Sequence, residues 1–235
     1  MKTNIKMASL ILAMLPAGSF AAELSDDPIL TFFKADQLEL RDTNAGTALV
    51  WEVDAWLGQD LNKFWVKSSG ERVNGETESS EIDLLYGKAI LPFWDVQFGL
   101  RHELKPDSSE NSLGVGLLGL APYLFEVDAN VFVNDDDLFN ARISAEYEYL
   151  FSQKLILIPN FEMSLYSDDD VPRGIGTGLS NAEIGLRLHY QPIREISPYI
   201  GINYERKFGK TADLSSAEGE STNDTQLLTG VSFWF

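Results

Sequence analysis

Acidic side chains recur at alternate positions within segments whose intervening positions are apolar. Glu52 and Asp54, Glu81 and Asp83, Glu103, Glu126 and Asp128, Glu146 and Glu148, Glu162, Glu183 and Glu205 all fall this way. Rings of carboxylates draw cations, whereas mixed signs close a narrow passage with salt bridges. Arg101, Arg142, Arg187 and Lys207 are interspersed and supply the second option. Softer metal ligands are scarce: past residue 21 the chain has His102, His189 and Met163, and it has no cysteine. His189 shares strand parity with Asn181, Glu183 and Arg187. His102 shares it with Trp94, Phe98 and Leu100, and Met163 with Leu157 and Phe161. Alternation therefore puts one of the three among polar residues and two among apolar ones.

Catalytic signatures are weak. His102-Glu103 is not followed by the second His of a zinc-protease helix, and Gly174, Gly176 and Gly178 sit in a polar stretch rather than between a strand and a helix. An enzyme would need a Ser brought against a His by the fold. The formal charge of −18 argues against a nucleic-acid partner and favours cations or basic partners.

The elements that would carry these residues are strands. In Phe139–Tyr149, Phe139, Ala141, Ile143, Ala145, Tyr147 and Tyr149 oppose Asn140, Arg142, Ser144, Glu146 and Glu148. Similar alternation recurs through the chain up to Thr225–Phe235, which puts Leu227, Val231, Phe233 and Phe235 on one face. Such a strand, ending on an aromatic residue, resembles the assembly signal of outer-membrane barrels. The spacing predicts an all-β fold of about twelve strands: a closed antiparallel transmembrane β-barrel with both termini periplasmic, its apolar face against outer-membrane lipid. Strand one, Phe32–Thr43, alternates poorly. Glu71–Glu78 reads as a polar loop, and Phe208–Asn223 as the longest loop. Asp135 to Asp137 and Asp168 to Asp170 read as solvated loop acids. Short turns on one side and longer polar loops on the other fit export to a Gram-negative outer membrane. Lys2 and Lys6 before the apolar run Met7–Pro16, with Ser19-Phe20-Ala21 after it, predict a signal peptide over residues 1–21. A short polar leader, 22–31, and the barrel, 32–235, complete the expected organisation.

Several stretches together resemble the copper resistance protein B family of outer-membrane proteins. They are Val50-Trp51-Glu52 with Ala55-Trp56-Leu57-Gly58, Asp60-Leu61-Asn62, Trp94-Asp95-Val96-Gln97 and Gly99-Leu100-Arg101-His102. To these add Gly119-Leu120-Ala121-Pro122-Tyr123, Phe125-Glu126-Val127, the run Arg173 to Ser180, and Asn203-Tyr204-Glu205-Arg206-Lys207-Phe208-Gly209. The resemblance implies a non-enzymatic barrel that contributes to copper tolerance by binding copper ions or passing them across the outer membrane. It also implies a periplasmic copper protein as partner. Family members often carry a Met- and His-rich extension, and the chain is expected to reach its barrel without one. Copper(II) accepts imidazole and oxygen ligands and copper(I) prefers sulfur, so His102, Met163, Glu183 and His189 are the metal-ligand candidates, with the other carboxylates as an acidic lumen. A general cation channel, or a structural barrel indifferent to copper, is the alternative.

Overall fold

The computed structural model describes residues 27–105, 109–135 and 138–235. The expected signal peptide and most of the leader lie outside the described residues, as do Asp136 and Asp137. In chain order the strands are β1 (Leu30–Thr43), β2 (Gly46–Gln59), β3 (Asn62–Val73), β4 (Glu76–Leu91), β5 (Trp94–Lys105), β6 (Glu110–Ala121) and β7 (Phe125–Asn134). They continue as β8 (Phe139–Glu146), β9 (Tyr149–Leu150), β10 (Leu155–Tyr166), β11 (Gly178–Tyr190), β12 (Ile196–Lys207) and β13 (Asn223–Trp234). One helix, α1 (Gly209–Glu218), lies between β12 and β13.

Neighbours in sequence pair antiparallel, except that β8 and β9 both pair with β10 rather than with each other; β10 pairs on its other side with β11, and β13 returns to β1, so the sheet closes on itself. Tyr149–Leu150 continues the line of β8 along β10 after a break at Tyr147 and Glu148, which makes twelve staves. Both described ends of the chain lie at one rim, where Phe33 and Phe235 exchange backbone hydrogen bonds of 2.9 and 3.0 Å. That rim is called the termini end below, and the opposite rim the far end.

Burial is inverted relative to a water-soluble sheet. Phe64, Leu84, Phe98, Leu113, Ile184, Ile200 and Leu227 are exposed, while Glu39, Asp83, Gln97, Arg101, Arg187 and Asn203 are buried. Charges turned inward and aliphatic side chains turned outward suit a barrel whose solvent is lipid, because closure leaves no strand edge unpaired in the hydrocarbon.

Two segments differ from the sequence expectation, and a third, β1, is the expected first strand with an unexpected bulge. β3 and β4 run into what reads as a loop over 71–78, because Asn74 and Gly75 both take positive φ (50° and 94°) and make a two-residue hairpin turn. The expected loop after β12 contains α1, closed by Gly219 in the left-handed conformation at φ 83°. β1 is a full-length strand with a bulge: against β2, Ala35 faces Val53 but Gln37 faces Glu52, leaving Asp36 as the extra residue. The bulge switches parity. Phe32 and Lys34 share the inward side with Gln37, Glu39 and Arg41, so no single alternation runs through the segment.

Inward aromatics narrow the termini end. Phe32 stacks on Trp56 (5.9 Å) and Trp234 (6.3 Å), and Trp56 meets Trp65 at 6.1 Å. On the outer face, an Ile200→Arg substitution places a charge in lipid mid-strand. Urea unfolding in bilayers is expected to show a loss of roughly 2–4 kcal/mol, the cost of an arginine near the midplane of such a barrel.

Candidate functional site

Strand register sets the chemistry of the lumen. Side chains directly opposite on paired strands lie about 4.5–5.5 Å apart at Cα, so each lateral row forms a chemical unit. One row reads Lys34, Asp54, Lys67, Asp83 and Arg101 on β1 to β5 and alternates in sign at every step. Another reads Asp128, Ser144, Glu162, Glu183, Glu205 and Asp224 on β7, β8 and β10 to β13, with no cation in it. Asp128 lies near the start of β7, at the termini end, and Asp224 near the start of β13, at the far end. Because the strands of a barrel are tilted and staggered, this row climbs the wall from one rim towards the other.

The basic residues neutralise one part of the lumen and leave another acidic. Glu39 is fully buried and accepts hydrogen bonds from Arg41 Nε (2.6 Å), Arg187 Nε and Nη2 (3.0 and 2.9 Å) and the Tyr199 hydroxyl (3.0 Å). Arg101 grips Asp83 through two bonds (2.8 and 2.7 Å), and its guanidinium lies 3.7 Å from the Phe132 ring centroid. Glu81 pairs with Arg101 (3.1 Å) and Arg142, and Lys67 with Asp128 (2.7 Å). By contrast Glu52, Asp54 and Glu205 have no hydrogen bond or ion pair among the described residues. Glu183 receives only Asn203 (3.0 Å) and a long contact from Arg41 (3.4 Å), and Glu162 lies 3.5 Å from Arg142 Nε.

Open space is lined by paired and unpaired carboxylates together. A cavity of about 390 Å³ has the unpaired Glu52, Asp54 and Glu205, the weakly held Glu162 and Glu183, and the paired Glu81, Asp83, Glu103 and Asp128 in its lining, together with Arg41, Lys67, Arg101, Arg142 and Arg173. A second, of about 120 Å³ and nearer the termini end, is lined by Asp36, Glu52, Asp54, Glu126, Asp128, Glu146 and Glu162. The shared residues Gln37, Glu52, Asp54, Asp128, Ser144, Asn160 and Glu162 show that the two adjoin. Glu148 departs from the expected continuous strand. It sits in the break after β8, is exposed and lines neither cavity; the ladder to β10 fails here because Pro159, which accepts the Tyr147 N–H (3.1 Å), has no N–H to return.

The soft-ligand candidates do not join the carboxylates. His189 faces inward but is buried, stacked on Tyr199 at 4.4 Å with Nδ1 3.1 Å from Ser197 Oγ. This is a Ser–His contact, yet Ser197 is equally buried and neither residue lines a cavity. His102 points outward, with Nδ1 2.8 Å from Asn111 Oδ1, and Met163 lies across from Ile143 and Ala182 on the outward face. Among the described residues no three His, Asp or Glu side chains are grouped as a ready metal site. The sequence reading missed Glu39, Arg41, Asp36 and Lys34, all on the bulged β1. It also missed Arg173, which reaches the lumen from the loop between β10 and β11.

Beyond the strands, that loop is held by charge. Arg173 pairs with Glu103, Glu110 (2.6 Å) and Asp170 (3.6 Å), and Asp169 with Lys210 of α1. The hydrogen bond from Lys210 holds the Asp169 carboxyl below its usual range. Burial opposes the charge on Arg173, but Glu103, Glu110 and Asp170 together more than compensate and raise its pKa.

An inward-charged, outward-apolar, closed sheet defines a Gram-negative outer-membrane β-barrel. Solved structures share the fold: a NanC porin (12% identical, TM-score 0.56, covering 86% of this chain and 98% of that one) and outer membrane phospholipase A from Escherichia coli (14%, 0.51, 86% and 89%). The family model for the copper resistance protein B precursor (CopB) matches residues 29–235, and the chain belongs to that family. It is 40% identical over 212 residues to copper resistance protein B of Escherichia coli, covering 90% of this chain and 72% of the relative. It is 38% identical over 213 residues to a copper resistance protein B homolog of Pseudomonas syringae pv. tomato, covering 91% and 72%. The fold and the family together assign it a role in copper tolerance.

Glu39 tests the neutralised wall. Glu39→Ala leaves Arg41 and Arg187 buried beside each other without their carboxylate. A loss of roughly 3–5 kcal/mol in urea unfolding is expected, as for other broken buried pairs.

Proposed function

We propose that this barrel serves copper tolerance by carrying copper ions along its acidic row, held at each step by carboxylate oxygens rather than in one tight site. The supporting observation is the register of Glu162, Glu183 and Glu205. Like charges side by side on three consecutive strands cost stability, and a passing cation relieves that cost. Oxygen donors suit copper(II) better than copper(I), so copper(II) is the cargo in this reading. Glu126 and Glu146, facing each other across β7 and β8 beside the smaller cavity, are the exit or entry at the termini end. In this reading that end faces the periplasm, where a periplasmic copper protein would meet it. The reading is non-enzymatic, and the sealing of Ser197 and His189 away from both cavities supports it.

A second reading has one observation in its favour. His102, Met163 and His189 all stand away from the row, which leaves it without the ligands that favour copper over other divalent ions. The barrel would then be a general cation channel.

Metal uptake into proteoliposomes separates the two. Copper entry above protein-free vesicles is expected, falling about tenfold in Glu183→Gln/Glu205→Gln, as expected where a ring of charge sets cation entry. Equal entry of zinc and copper supports the general channel, and no entry of either ion contradicts both readings.

A further inference from the structure

Arg173 crosses the mouth of the barrel. It belongs to the loop between β10 and β11, while its partners Glu103 and Glu110 lie on β5 and β6, with β7 and β8 between. Glu103 and Glu110 oppose each other in register at the far end of their strands. Two carboxylates so placed need a cation between them, and the guanidinium supplies it. Arg173 and Ile175 also line the larger cavity, so this loop roofs the lumen at the rim where Asp224 ends the acidic row.

The rest of the loop is anchored on its own side. Asp170 and Ile175 form an isolated bridge, Thr177 N–H donates to Asp169 (2.9 Å), and Gly176 N–H donates to Thr211 Oγ1 of α1 (2.9 Å). Gly176 lies so close to α1 that an added Cβ would come within 2.5 Å of Thr211 N. Apart from the Asp169–Lys210 pair, these anchors are hydrogen bonds to the backbone, whereas the tie to β5 and β6 rests on charge alone and a second cation can replace it. Arg173 Nε, buried and without a hydrogen-bond partner, shows that the guanidinium is not fully satisfied where it sits.

We propose that Arg173 is the gate residue of the lumen: its guanidinium holds Glu103 and Glu110 in the closed state, and an incoming divalent cation takes its place on those carboxylates and frees the loop. This rests on the cation passage proposed above, and it names the entry site and what guards it. The exchange makes and breaks only ion pairs, so charge at the two carboxylates is conserved or increased at every stage.

The chain has no cysteine, so labels can be placed without removing any native thiol. Spin labels at Pro172→Cys and Asn111→Cys report the loop's distance from the opposite wall in the full-length protein in lipid. Zinc is the added divalent ion because, unlike copper(II), it does not perturb the spins. Potassium conductance across planar bilayers is read in parallel. Closed, short distances are expected without zinc and longer ones with it. Arg173→Gln should show the longer distance without zinc and conduct potassium at least about tenfold more than the parent, because the charge-assisted hydrogen bonds to both Glu103 and Glu110 are lost. Arg173→Lys, which keeps the charge but not the two-pronged grip, should fall between. Glu103→Gln/Glu110→Gln should be open without zinc and insensitive to it. An Arg173→Gln protein with the parent's distance and conductance overturns the gate, as does a parent that zinc leaves unmoved. If the gate opens as expected while copper fails to enter proteoliposomes, the gate stands and the copper reading falls. If copper enters parent and Arg173→Gln equally, with the loop unmoved, the copper reading stands and the gate falls.

Discussion

The pairing of the last strand with the first is the constraint on which the rest depends. Lipid cannot satisfy backbone N–H and C=O groups, so a sheet in the hydrocarbon must have no free edge. β13 meets β1 from Asp42 opposite Leu227 down to Lys34 opposite Trp234, and the Phe33–Phe235 exchange completes the seam. Closure creates an interior, and with twelve staves that interior is narrower than a wide porin channel and is filled largely by side chains. Polar residues on alternate positions then have only one another, or a guest, for company.

That interior is divided by charge. β1 to β5 alternate acid and base in lateral register, and the Glu39 cluster ties β1 to β11 and β12. These contacts stiffen the wall, while Arg41, Asp54, Lys67, Asp83 and Arg101 still face the larger cavity. Across the lumen, β7, β8 and β10 to β13 place carboxylates side by side, with their cationic contacts at the edge of the row or at long range. Both cavities are lined by paired and unpaired acids, and the unpaired Glu52 and Asp54 face both of them. The division follows from register, since moving any of these strands by one residue would turn its row of charges into lipid.

Much of this was legible in the sequence, and the failures have physical causes. Alternation in β8 and β13 shows which side chains face lipid, because nothing interrupts the pleat there. β1 hides its inward residues because the bulge at Asp36 reverses parity midway, and so Glu39 and Arg41 escape notice. His189 is placed on the correct face by parity, but parity says nothing of the Tyr199 ring that seals it. The two-residue turn at Asn74–Gly75 is masked by polar neighbours that are in fact strand. Arg173 is invisible to periodicity altogether, because a loop residue reaches its partners through tertiary geometry. The family resemblance, carried by turn and strand motifs, is confirmed by the family match over residues 29–235.

Copper ions proposed to occupy the carboxylate row can be sought there by diffraction. Anomalous diffraction at the copper edge, from crystals of the full-length protein grown with copper(II), locates the ions directly. Anomalous peaks are expected beside Glu162, Glu183 and Glu205, spaced along the row and partly occupied. Copper found only at His102 on the outer face, or a lumen with no peak at all under saturating copper, would contradict that placement.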